Sequence, residues 1–214
     1  TSNSPRYFVH AVLGFMEEDG SMTLSERIRI WRGMPQDTPE QQLWADNYYD
    51  NELMPRALQY FARHYGRQRL PEYYGMILIM GDAWEDLAFN VGLLSPQNIH
   101  VICTQEHVSQ YRQLIKNLQL EEDRCICTRI PDGDIASLYR VMKKQHDIWD
   151  SVGSSAVDIT GGTLESAPAA AMAATALDMD VYRLVVQKNS ELGRHEPGSE
   201  RMLRLLPVKS VLGQ

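Results

Sequence analysis

An α/β fold is predicted for this chain by three observations. From Gly75 onward short apolar runs alternate with helical stretches, the first 70 residues show helical spacing only, and a Gly-Gly turn joins the fourth apolar run to a small-residue helix. Strand–helix alternation of this kind means a parallel sheet with right-handed crossovers and helices on both faces. The expected architecture is a Rossmann-like doubly wound, mainly parallel sheet with an N-terminal helical extension. Its ligands belong at the carboxyl ends of the strands.

Residues 1–70 form the helical lead or linker segment. Arg27, Ile28, Ile30 and Trp31, then Leu43, Trp44, Tyr48, Leu53, Leu58, Tyr60 and Phe61, recur near helical spacing with breaks at Pro35, Pro39 and Pro55. Two or three amphipathic helices follow from that pattern. Arg63 and Arg67 stand one turn apart beside Tyr60 and Tyr65, as a solvated or packing face or as a partner contact. Residues 71–214 form the sheet domain. Strands are predicted at 76–80, 99–103, 125–130, 156–159 and 181–186. The first ends at Gly81-Asp82 and the second at Thr104-Gln105-Glu106. Helices are predicted at 84–93, 107–118, 135–146 and 166–177.

At 214 residues and 24.5 kDa, one domain with an extension fits and two large domains do not. Apolar residues at 43% and charged residues at 23% place the chain among globular proteins. With 28 acidic against 21 basic side chains the net charge is −7, which excludes a coat for nucleic acid or anionic lipid. Any bound anion must be held locally. Three cysteines without a C-x-x-C pair, lying in strand-like runs, read as reduced core thiols of a cytosolic protein. No apolar run approaches the roughly 18 residues of a membrane span, and no signal-peptide pattern is present. Because the chain begins at Thr1, a processed or trimmed protein is expected, whose leading segment would carry any targeting or membrane function.

The chemistry concentrates in Val157-Asp158-Ile159-Thr160-Gly161-Gly162-Thr163-Leu164-Glu165-Ser166. The segment leaves a strand, turns on two glycines and enters an alanine-rich helix whose Pro168 falls in the first turn. Glycines admit a ligand close to the backbone, and the helix start presents free N–H groups. Thr160 and Thr163 are expected to add hydroxyl donors, making a phosphate- or nucleotide-binding loop; a plain Gly-Gly turn is the alternative. No G-x-x-x-x-G-K-[ST], G-x-S-x-G or H-E-x-x-H motif competes. His107 opens a helix after Thr104 at the same strand-end edge or is merely packed. Asp158-x-Thr160-Gly echoes the phosphorylated aspartate of ion-pumping ATPases, although the extra glycine and late position argue against it.

Asp158-Ile-Thr-Gly-Gly-Thr163 after a late strand, the small-residue helix behind it and the strand Val181-Tyr-Arg-Leu-Val185 resemble the CRISPR-associated Rossmann-fold (CARF) domains. The resemblance spans residues 73–186, and its one specific motif is D-x-T-G-G-T. It implies a homodimeric sensor of type III CRISPR antiviral signalling that binds a cyclic oligoadenylate second messenger, above all cyclic tetra-adenylate, and controls a fused effector. Carried over position by position, the ligand-binding residues are Gly81, Asp82, Ala83 and Trp84; Thr104 and Gln105; and Thr160, Gly161, Gly162, Thr163 and Leu164. Trp84 would stack on an adenine or pack at its helix start. Leu164 stands where the family often has lysine, which removes one phosphate contact and weighs against ring cleavage.

The resemblance further implies a regulatory domain rather than an enzyme, with no catalytic residue, metal or cofactor and with no duplex nucleic acid as partner. Some family members attach the sensor to an N-terminal hydrophobic helix, so the expected location is cytoplasmic, at the inner membrane where such a helix exists outside this chain. Residues 1–70 lack the Arg-x4-6-His pattern of the RNase commonly fused to such sensors; Arg63-His64 and Arg140 with His146 are the nearest approaches. The alternatives are a metal-independent ring nuclease assisted by Thr163, Glu165 or Asp82, and an unrelated Rossmann-like phosphate enzyme using Asp158. Gly162→Val or Thr163→Ala is expected to weaken binding and spare the fold. Residues 1–70 carry 8 basic and 9 acidic side chains and residues 71–214 carry 13 and 19, so the sheet domain is the acidic part.

Overall fold

The computed structural model describes residues 22–189 and 193–205. The chain divides into two units, Thr1–Arg69 with Val186–Arg201 and Leu70–Val185 with Met202–Gln214. The first boundary lies where the composition changes. The second differs from the expected partition, because residues 186–201 join the helical unit rather than the sheet.

In the helical unit, α1 (Leu24–Arg32), α2 (Pro39–Tyr48) and α3 (Met54–Tyr65) bury Trp31, Tyr49, Leu53, Met54, Ala57 and Phe61. Thr23 and Glu26 form a capping box ahead of α1, and Thr38 and Gln41 form another ahead of α2, whose Pro39 occupies the first turn. Pro55 has no N–H to give its own i−4 carbonyl. A π turn, Tyr49–Leu53, leads into it, with Met54 N–H reaching back to the Tyr49 carbonyl. Arg27 sits buried on α1 and is neutralised by Glu52 at 2.6 Å. Arg194 ties the late segment to this unit, lying 4.2 Å over the Tyr49 ring and pairing with Asp46 and Asp50 at 2.8 and 2.7 Å. Arg63 is exposed in the last turn of α3, and Arg67, also exposed, lies beyond the helix end at Tyr65, so the two do not form the expected helix face.

In the sheet unit, β1 (Gly75–Ile79), α4 (Glu85–Leu94), β2 (Asn98–Cys103), α5 (Val108–Leu118), β3 (Cys125–Arg129), α6 (Ile135–Trp149), β4 (Ser155–Asp158), α7 (Ser166–Ala176) and β5 (Asp180–Val185) follow in strict alternation. A strand that the sequence reading did not anticipate, β6 (Arg201–Leu205), borders β5. The sheet order is β3-β2-β1-β4-β5-β6, with β1 to β5 joined by parallel pairings. This is the Rossmann-like doubly wound arrangement. The direction of winding reverses between β1 and β4, which is where such sheets open a crevice at their carboxyl edge.

Every residue of β1 is buried, as expected of a strand covered on both faces. Ile77, Ile79, Ile102, Val157 and Ile159 pack with Leu138, Met142 and Trp149 of α6 and with Ala170 and Ala174 of α7. A Cβ at Gly75 would come within 2.2 Å of the Trp149 ring, so that residue must be glycine for the indole to lie on the strand. At the same amino end of the strands, the Tyr73 hydroxyl bonds Asp180 and, at 2.8 Å, Tyr182, while Arg204 of β6 reaches Asp180 at 2.8 Å. His100 is buried in β2, with Nδ1 2.7 Å from Gln145 and Nε2 2.7 Å from Thr128; burial holds its pKa below the ordinary histidine value. Among the described residues, no helix is long and apolar enough to cross a membrane.

Candidate functional site at the strand ends

Three loops meet at the carboxyl edge, after β1, β2 and β4. The first and third are in backbone contact. A Cβ at Gly81 would lie 2.2 Å from the Gly161 carbonyl oxygen, and a Cβ at Gly161 would lie 2.6 Å from the Gly81 nitrogen. No other residue type fits either position, so the glycines bring the two crossovers together at the switch point.

Asp158 anchors the β4 loop from below. Its Oδ1 accepts from the Thr160 amide at 2.8 Å and from the Thr160 hydroxyl, and its Oδ2 accepts from Asn90 Nδ2 at 2.8 Å. Complete burial pushes its carboxyl up to about 6, against the opposing pull of these donors. With no exposure and both oxygens engaged, Asp158 has no approach for a substrate. The phosphate enzyme using Asp158 as nucleophile is thereby removed.

The two threonines are also committed internally. Thr160 Oγ1 donates to Asp158 and accepts from the Leu184 amide at 2.8 Å. Thr163 and Ser166 close a reciprocal cap: the Thr163 amide donates to Ser166 Oγ at 2.8 Å, and the Ser166 amide donates to Thr163 Oγ1 at 3.1 Å. The Ala167 amide then starts the helical ladder on the Thr163 carbonyl at 3.1 Å. The expected hydroxyl donors are therefore loop-shaping groups. Gly162 is structural as well, since a Cβ there would fall 2.8 Å from Ala167 Cβ, and its own amide bonds the Ile159 carbonyl at 3.1 Å.

What remains for a ligand is narrower than the motif suggests. Across residues 160–167, the amides of Gly161, Leu164 and Glu165 have no partner among the described residues. The last two lie in the opening turn of α7, where the helix dipole adds partial positive charge. The Leu164 side chain beside them is 92% exposed.

The β1 and β2 loops are linked through His107. Thr104 Oγ1 stands 3.0 Å from His107 Nδ1, and His107 Nε2 stands 2.9 Å from Asp82 Oδ1. Gln105 accepts from Arg129 at 2.8 Å. Trp84 is 5% exposed, with its amide donating to Gln110 at 3.0 Å, so it packs at the start of α4 and presents no face for stacking. Gly81, Asp82, Thr104, Gln105 and residues 160–164 do share one edge, with Ala83 half-buried behind them.

Arg129, Gln110 and Asn90 also shape this edge and are not among the expected site residues. Arg129 had a usable signal, being the last residue of a strand whose neighbours end in the site; Asn90 and Gln110 sit mid-helix, where nothing marks them. Arg140 and His146 lie six residues apart on α6, about 240° around the helix, and do not share a face. No protein-family model matches the sequence and no curated protein matches it, so the site is interpreted from its geometry.

Proposed function

We propose that the sheet unit is a CARF-like sensor that binds a cyclic oligoadenylate, best a cyclic tetra-adenylate, between two copies of its strand-end surface, and that it acts in type III CRISPR signalling. The observation that carries this reading is the trio of unpartnered amides at Gly161, Leu164 and Glu165, beside the glycine contact at the switch point. One copy offers three N–H groups, and a two-fold dimer offers the same set twice to a ring with matching symmetry. Binding shifts the population of dimer arrangements, and the attached effector reads the shift. The protein works in the cytoplasm, at the inner membrane where a hydrophobic helix outside this chain anchors it.

Calorimetry of the full chain with cyclic tri-, tetra- and hexa-adenylate tests this, followed by chromatography of the recovered ligand. The expected result is one ring per two chains, with tetra-adenylate tightest and recovered intact. Absence of heat with all three rings overturns the reading.

A second reading, metal-independent cleavage of the same ring, is favoured by the Asp82–His107–Thr104 chain. Exchanging its Thr104 contact for the ligand, His107 would take the proton of a ring 2′-hydroxyl as that oxygen attacks the adjacent phosphorus and the P–O5′ bond breaks, and would return the proton to the departing 5′ oxygen. The products would be a 2′,3′-cyclic phosphate and a free 5′-hydroxyl. Linear fragments in the chromatogram would establish it.

A further inference from the structure

Cys103 closes β2, and Cys127 lies in β3 beside it. The register sets Val101 against Cys127 and Cys103 against Arg129, so the two cysteines meet diagonally across the strand pair. Their sulfurs stand 3.5 Å apart, on the sheet face opposite His100 and Thr128. The two thiols differ in access: Cys103 is 3% exposed and Cys127 is half-buried. They also differ in acidity. The hydrogen bond shared with Cys103 and the Arg129 guanidinium, partly opposed by burial, lower Cys127 below the ordinary thiol value, while that bond and burial raise Cys103. Two sulfurs in contact, the less buried one the more acidic, are the arrangement of an attacking and a resolving cysteine.

We propose that Cys127 and Cys103 are a reversible redox pair, oxidised by hydroperoxides to a disulfide between β2 and β3. The Cys127 thiolate attacks one peroxide oxygen, the O–O bond breaks, and the departing hydroxide takes a proton to leave as water. Cys103, now deprotonated, attacks the Cys127 sulfur of the resulting sulfenic acid, and the S–O bond breaks with loss of a second water. Overall, two thiols and one hydrogen peroxide give one disulfide and two waters; each sulfur loses one electron and each peroxide oxygen gains one. The sulfurs must close by about 1.5 Å. Among the described residues β3 has a neighbour on one side only, which leaves it free to shift. The movement would be felt at the strand ends, because Arg129 holds Gln105 and Cys103 directly precedes Thr104. The thiol chemistry itself does not depend on what the glycine loop binds.

Cys125 supplies an internal control. Burial and the carboxylates of Asp123, Glu121 and Glu122 push it up to about 11, which suppresses its thiolate. The test treats the full chain with hydrogen peroxide, alkylates the remaining thiols and maps the peptides. Two of three thiols should be lost to a Cys103–Cys127 cross-link, with Cys125 alkylated and both losses reversed by dithiothreitol. In Cys103→Ser, dimedone should trap a sulfenic acid on Cys127, and Cys127→Ser should leave Cys103 fully alkylatable. Three intact thiols in the treated wild type, or a cross-link through Cys125, overturns the proposal without any variant having to fold.

Discussion

Gly81 and Gly161 touch through their backbones, with room for a side chain on neither. The contact lies where the winding of the sheet reverses, so the β1 and β4 loops behave as one body.

Substitution at that contact should therefore cost stability before it affects any ligand. Gly81→Ala or Gly161→Ala should destabilise by roughly 2 kcal/mol or more, because backbone atoms cannot give way as a flexible side chain can. Gly162→Val belongs in the same class, against the expectation that it spares the fold, since Ala167 occupies the space. Thermal melts of the three variants should fall several degrees below wild type; an unshifted melt for Gly81→Ala would mean that the loops part easily.

A cleaner probe of the anion site is Leu164→Pro. Proline is tolerated in the first turn after a cap, and here it deletes one of the three unpartnered N–H groups while the Thr163–Ser166 cap stays intact. The melt should be nearly unchanged, and cyclic tetra-adenylate should bind roughly 10-fold more weakly. Thr163→Ala should behave oppositely, losing about 1 kcal/mol of stability through the cap. Equal affinity in Leu164→Pro and wild type would remove the amide from the site.

Asp158 makes stability depend on pH in an unusual direction. Its carboxyl is raised in the folded chain to about 6, above the roughly 3.9 of an unfolded aspartate. The folded state therefore holds the proton more tightly, and this contribution is full below about pH 4 and lost as pH rises through about 6. Asp158→Asn has no such dependence, and the unpartnered Oδ1 of buried Asn90 can accept from the new amide once Asn90 flips. Urea midpoints should show the difference, wild type minus variant, falling by on the order of 2 kcal/mol from pH 4 to 7.

His100 acts with the opposite sign. Burial lowers its folded pKa, so the neutral ring contributes stability above about pH 6.5, and that contribution is lost as pH falls. His100→Gln keeps a donor and an acceptor between Gln145 and Thr128 without titrating. The stability gap between wild type and His100→Gln should narrow on acidification, and a gap that stays constant from pH 7.5 to 5 would rule the effect out.

Much of the sheet was legible because its strands are continuous apolar runs separated by helices of ordinary length; β1 to β5 and α4 to α7 fall close to their expected bounds. The β6 strand escaped because Arg201-Met-Leu-Arg-Leu205 is short, spaces its two charges three residues apart instead of alternating, and lies largely exposed at the sheet border. The membership of residues 186–201 was hidden for another reason. Arg194 finds Asp46 and Asp50 nearly 150 positions away, and no local pattern encodes such a pair. In the site, the D-x-T-G-G-T loop was found, but its hydroxyls were assigned outward. Their partners, Asp158 and Ser166, are two and three residues off, at the spacings of local turns and caps. Trp84 was open between stacking and packing, and burial decides for packing.

The three unpartnered N–H groups at Gly161, Leu164 and Glu165 also set how binding responds to salt. They belong to the neutral backbone, and Arg129, which reaches this edge from β3, donates to an uncharged glutamine. An anion bound here forms few ion pairs with protein cations, so few counterions are released from its phosphates, and it meets an acidic surround. Its affinity should respond only shallowly to added potassium chloride, unlike that of a lysine-lined phosphate site.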